Sequence, residues 1–250
     1  MRLGAYLRDL PALVREILAA PVLPRAALLI LPYAGVLVGL DVAARYGDIT
    51  GQELPAQFFL SQDWSFGECL EYCLMAAIAV LLFLMWRRDR SPILLVNALL
   101  FGYLAADNAL EWHEQFGFWI APALAQVLPS ELPMDVHYFG EPVLFGIAGL
   151  IWLTGLALSL RQSRPRPILQ SLLIVGCVAG AAFFGIVVDA MTDWGPHTVT
   201  RTDVEAFIED GGEFAMIILA FLLTTAMYDG GRRRQEALDS PAVTELPLAA

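Results

Sequence analysis

Carboxylates and imidazoles recur three or four residues apart in this chain: Asp107, Glu111 and Glu114; His137 and Glu141; Asp189 and Asp193; Glu209 and Glu213. Glu71 lies near the head of a further apolar stretch. Carboxylates from several helices with one or two imidazoles are the ligand set of hard and borderline divalent metals, and helical bundles build di-iron and di-manganese centres from inward-pointing Glu and His. The expected cofactor is therefore divalent metal, two ions, with iron or manganese first and zinc next. Glu71 is expected as ligand or general base. Oxygen chemistry is the first expectation and hydrolysis by metal-activated water the second. The pattern lacks the Glu-x-x-His step of soluble di-metal bundles; its nearest equivalents are His137-x-x-x-Glu141 and Asp193-x-x-x-His197.

The elements that must position these groups are apolar helices. Hydrophobic residues make up 58% of the chain and charged ones 16%, with a mean hydropathy of +0.61, a composition outside the soluble globular range. Apolar stretches at about Ala26 to Arg45, Phe66 to Trp86, Pro92 to Glu114, Tyr138 to Leu160, Ile168 to Asp193 and Val204 to Tyr228 each approach the ~20 residues of a membrane span. The expected fold is an all-α membrane protein with a six-helix bundle over residues 26–229. Residues 1–25 should form a short cytoplasmic amphipathic helix, with Leu3, Leu7, Leu10 and Leu13 at helical spacing, and residues 230–250 a disordered tail. No cleavable signal peptide is expected, and the first span should serve as an uncleaved anchor.

Orientation follows from arginine, since the chain has no lysine. Arg2, Arg8, Arg15 and Arg25 precede the first span, Arg87, Arg88 and Arg90 join the second to the third, Arg161, Arg164 and Arg166 join the fourth to the fifth, and Arg232, Arg233 and Arg234 follow the sixth. Basic residues accumulate on the cytoplasmic side, so both termini should be cytoplasmic and the acidic residues should face periplasm or exterior in an inner membrane. The net charge of −11 is thus polarised, and its sign opposes nucleic-acid binding.

On a helical wheel Asp107, Glu111 and Glu114 fall within roughly 60° of arc, while His113 points about 120° from Asp107 unless the helix unwinds there. Glu68 and Glu205 suit capping of helix N-termini. Asp107 and Asp189 end their spans, where the helix dipole disfavours negative charge, and a carboxylate inside an apolar helix costs roughly 2.5 to 3.5 kcal/mol on insertion scales. Cys69, Cys73 and Cys177 read as small apolar residues within spans. The connection Phe116 to Leu128 is apolar enough to lie in the membrane interface; its aromatics with Trp112 form either an interfacial belt or a lid admitting a lipophilic molecule. Partners are thus the lipid bilayer and a lipophilic or periplasmic small molecule. Two other classes share these residues: a cation or proton transporter, and a noncatalytic subunit docking a partner through its acidic face. The cytoplasmic halves of the spans hold little that is polar beyond Asn97 and Tyr103, which favours an enzyme over a carrier.

Overall fold

The computed structural model describes residues 8–128, 136–188 and 198–239. Its helices are α1 Leu10–Leu18, α2 Val22–Thr50, α3 Phe66–Asp89, α4 Pro92–Leu110, α5 Trp112–Leu124, α6 Gly140–Ser159, α7 Pro165–Ala182 and α8 Val199–Asp239. Single 3-10 turns lie at Ala56–Phe58 and Val136–Phe139, and α7 runs into a π-helical turn at Phe183–Val188. The described residues contain no strand. Local chemistry explains the boundaries: Pro92 and Pro165 open α4 and α7, where the missing N–H is harmless. The Ser65 hydroxyl accepts from the Glu68 N–H at 3.1 Å and starts α3. Gly51, with φ of 73°, closes α2 in the left-handed conformation that glycine adopts without a Cβ clash.

Among the described residues five helices are long and apolar enough to cross a membrane: α2, α3, α4, α6, and α7 with its π turn. Leu28, Leu29, Leu150 and Ile151 point outward from them, an arrangement that suits a hydrocarbon solvent. Between the helices, Ile78, Leu82 and Met85 of α3, Leu94 of α4, Ile174 of α7 and Phe214 and Met227 of α8 are sealed from contact with solvent. α3 packs along α4, and α8 runs against α2, α3 and α7.

Three expectations change. The third apolar stretch stops at Leu110, because Glu111 adopts a left-handed φ of 53°, and the supposed loop beyond it is helix α5 as far as Leu124. At 1.5 Å per residue α5 is roughly 20 Å long, too short for a hydrocarbon core of about 30 Å. The tail expected from residue 230 stays helical to Asp239. The amphipathic segment does not merely rest on a surface: α1 buries Leu13 and Ile17 against the bundle. The Glu16 carboxylate also meets Arg166 at 2.8 Å and Arg234 at 2.6 Å, fastening α1 to α7 and α8.

Candidate functional site

Charge separates along the bundle. α1, the Arg166 end of α7, the Arg234 end of α8 and Arg88 of α3, which donates to the Tyr228 carbonyl at 3.3 Å, share one end. The candidate carboxylates among the described residues occupy the other.

The break at Glu111 creates the first cluster there. Residues on one uninterrupted helix would leave His113 facing away from Asp107, and would put Asp107, Glu111 and Glu114 on one stripe. The left-handed turn at Glu111 redirects the chain instead, bringing His113 Nδ1 to 3.2 Å from Asp107 Oδ2. Asp107 is fully buried, and its other oxygen lies 3.5 Å from the Tyr103 hydroxyl. The His113–Asp107 contact is a charge contact whose angle misses that of a directed hydrogen bond, so neither atom is fully satisfied. Burial lowers the tendency of His113 to hold a proton; the Asp107 carboxylate, then Glu141 and Glu114, outweigh it and raise the imidazole above its usual 6.5. Glu114 also titrates above its usual 4.5, through burial first and the charge of Asp63 second, although His113 opposes both. The His113 ring lies over Phe145 of α6, with centroids 5.4 Å apart.

α5 and α6 then cross where glycine permits backbone contact. A Cβ on Gly140 would stand 2.5 Å from Gly117 Cα, and one on Gly117 would stand 2.7 Å from the His137 carbonyl. His137 sits in the 3-10 turn before α6, its ring stacked on Phe118 at 4.4 Å, and Glu141 lies in the first turn of α6 against Gly117. Of the aromatic residues expected as a belt or lid, Trp112, Phe116 and Trp119 line an outward groove with Tyr103 and Leu144. Trp119 and Phe118 are largely exposed.

The second cluster joins α3 to α8. Half-buried Glu71 stands in the electrostatic field of Glu213, Glu68 and Asp210. Glu68 does what its position implied: its carboxylate accepts from the Trp64 N–H at 2.7 Å and from the Tyr72 hydroxyl. It also feels, weakly, the charge of His113 in the first cluster. Glu209 and Glu213 are half-buried on α8, and Glu213 is pressed over Gly185 in the π turn, where an added Cβ would fall 1.6 Å from Glu213 Oε1. Such π turns are often found at functional sites. Glu205 pairs with Arg201 at 2.8 Å instead of capping, because α8 begins earlier, at Val199. Asp189, Asp193 and His197 lie outside the described residues. Among the described residues no three His, Cys, Asp or Glu side chains come together closely enough to hold a metal ion.

A third arrangement escaped the sequence reading. Buried Arg45 donates to Asp41 Oδ2 at 2.9 Å and to Asp210 Oδ2 at 2.6 Å, while Asp41 Oδ1 accepts from the Leu60 N–H at 2.9 Å. This triad ties α2, the 51–65 connection and α8 together beneath the acidic end. Its signal was present as Asp41-x-x-x-Arg45, an opposite-charge pair one turn apart inside an apolar segment. The arginine-rich half of the bundle is also less apolar than expected: the Asn97 amide donates to Ser171 at 2.7 Å and to the Ile93 carbonyl, and its oxygen accepts from Trp152 at 3.1 Å. Gln170 and Thr224 are buried there as well.

Fold and site together define an all-helical protein with membrane-spanning helices, arginine at one end and carboxylates at the other. The chain belongs to the family described as Domain of unknown function (DUF8692), which matches residues 49–227 and so takes in the first two clusters but leaves out Asp41 and Arg45 of the third. No curated protein and no solved structure matches it.

Proposed function

We propose that the chain is an inner-membrane protein of six spans with both termini cytoplasmic, whose acidic end faces periplasm or exterior and uses divalent metal in a reaction on a lipophilic or periplasmic substrate. α8 supplies the sixth span over Val204 to Tyr228, roughly 37 Å of helix at 1.5 Å per residue, with its acidic residues in the outward half. The arginines at the α1 end support that orientation through the positive-inside rule. What supports the metal reading is the accumulation of carboxylates at this end, where Glu71 of α3 feels the negative charge of Glu213 and Asp210 on α8 and of Glu68 on its own helix. Of the two arginines in this half, Arg45 is already shared between Asp41 and Asp210, and Arg201 is paired with Glu205. A divalent cation is the natural counter-charge for such a set.

Glu71, Glu209 and Glu213, with Asp189 and Asp193 following the π turn, are the proposed ligands of one ion. Asp107, Glu111, Glu114, His137 and Glu141 are the proposed ligands of the second. Oxidation by iron or manganese is preferred to hydrolysis, because carboxylate-rich sets with few imidazoles suit those metals. The test is elemental analysis of protein purified without chelator, followed by calorimetric titration with Mn²⁺, Fe²⁺ and Zn²⁺. Bound metal that falls at least tenfold in affinity in Glu71→Gln and Glu213→Gln supports the reading. Wild-type protein that is metal-free and takes up none of the three refutes it.

Transport is the second reading, and it has its own support in the buried Gln170 and Thr224, each with an oxygen that lacks a hydrogen-bond partner in the described structure. Ion flux in proteoliposomes, abolished by Glu71→Gln, would favour it over catalysis.

A further inference from the structure

At the end opposite the clusters above, a cavity of about 360 Å³ opens between α3 and the last turns of α8, lined by four arginines (Arg87, Arg88, Arg90 and Arg232) and one carboxylate, Glu236, together with Leu84, Tyr228 and Gln235. We propose that it binds the phosphate headgroup of an anionic phospholipid. The assignment of that lipid to the cytoplasmic leaflet rests on the orientation proposed above; the binding itself depends on neither the orientation nor the metal.

The four guanidinium groups are not equivalent. Arg88 is held by Asp89 at 2.7 Å and by the Tyr228 carbonyl, so it forms a fixed wall. Among the described residues the ion pairs of Arg232 are long, 3.5 Å to Asp229 and 3.7 Å to Glu236. Arg87 and Arg90 are exposed and make no ion pair with a carboxylate among the described residues, and Arg90 extends over the Trp86 ring at 5.6 Å. The left-handed conformation of Arg90, φ 52°, ends α3 at this point and turns the chain away, which leaves the pocket mouth open. Planar guanidinium forks match phosphate oxygens in pairs, and a basic pocket between helix ends at the membrane surface is suited to a lipid headgroup.

The apolar wall selects a lipid over a soluble phosphate. Leu84 continues, one turn down α3, into Val80, which is 58% exposed, and Phe83 beside it is 41% exposed. An acyl chain attached to a headgroup in the pocket would run along this face. Tyr228 stands at the junction with its ring 6.0 Å from the Arg88 guanidinium carbon, the usual station of an interfacial tyrosine. Arg161 and Arg164 sit in the α6–α7 connection, exposed, and line neither cavity described here, which makes them an internal control for charge alone.

The experiment uses delipidated full-length protein in neutral detergent, titrated with phosphatidylglycerol or phosphatidylcholine and followed by native mass spectrometry and thermal unfolding. Wild type should bind and be stabilised by phosphatidylglycerol and not by phosphatidylcholine. Arg87→Gln/Arg90→Gln should weaken that binding about thirtyfold, and Arg161→Gln/Arg164→Gln by no more than about threefold. Arg232→Gln, expected to lose about fivefold, carries the test should the double variant fail to fold. Equal losses in the pocket and control variants, or equal binding of the two lipids, would overturn the proposal. Stabilisation by water-soluble glycerol phosphate equal to that by phosphatidylglycerol would overturn the lipid and leave a site for a soluble anion.

Discussion

Replacing His113 by Gln should produce a stability loss whose size depends on pH in a calculable way. The substitution removes the cation 3.2 Å from Asp107 and leaves a fully buried carboxyl with the distant Tyr103 hydroxyl as its neighbour. The least costly repair is to fold with that carboxyl protonated. Against an unfolded-chain aspartate titrating near 3.9, taking up that proton costs about 1.5 kcal/mol at pH 5 and about 3.5 kcal/mol at pH 6.5. Wild type behaves oppositely over this range. His113 is raised above 6.5 in the folded state, so its contribution is complete below 6.5 and is lost only as the pH climbs through the higher folded value. The gap between wild type and His113→Gln should therefore widen by about 2 kcal/mol from pH 5 to pH 6.5 and then level off, as wild type begins to lose stability too. Equilibrium unfolding in mild detergent at four pH values between 5 and 8 measures it. The double variant His113→Gln/Asp107→Asn should abolish the slope. A gap that stays constant with pH, or one below about 0.5 kcal/mol at pH 6.5, would refute the claim that these two side chains form a buried charge pair.

Three further outcomes follow from the same structure. Arg45→Gln strands Asp41 and Asp210 beneath the acidic end and should cost about 3 to 5 kcal/mol by the same unfolding assay, with Arg45→Lys recovering only part because an ammonium cannot reproduce the two-sided guanidinium contact. Gly140→Ala forces a methyl to within 2.5 Å of Gly117 Cα and should destabilise by about 1 to 3 kcal/mol, with amide exchange accelerated in α5 and the start of α6 before the rest of the bundle. Asn97→Ala leaves the Trp152 indole N–H and the Ser171 hydroxyl without their partner; a loss of about 1 to 3 kcal/mol and a shift of Trp152 fluorescence should accompany it.

Which parts were legible beforehand depended on the range of the interactions involved. Apolar run length is a local property, so helices α2, α3, α4, α6 and α7 were readable, as was the distribution of arginine along the chain. Ser65 and Glu68 were readable as a helix start, because capping spans only a few residues. Helix-wheel arithmetic failed at Glu111, since it presumes an unbroken helix, and nothing in the residue types there marks a left-handed turn. The apolar connection from Phe116 became α5 for a related reason: its helical propensity was hidden by the expectation that a segment outside a span is a loop.

The sequence by itself determined that this is a helical membrane protein with carboxylates at one end and arginines at the other, because hydropathy and charge placement need no knowledge of which helix touches which. Only the tertiary structure decided the pairings: His113 with Asp107, Arg45 between Asp41 and Asp210, Glu71 in the electrostatic field of Glu213, and the arginine pocket of α3 with α8. Arg45 and Asp210 stand 165 positions apart, and the Asp107–His113 contact exists only because one backbone angle at Glu111 is positive. Both depend on chain geometry that side-chain spacing alone does not encode.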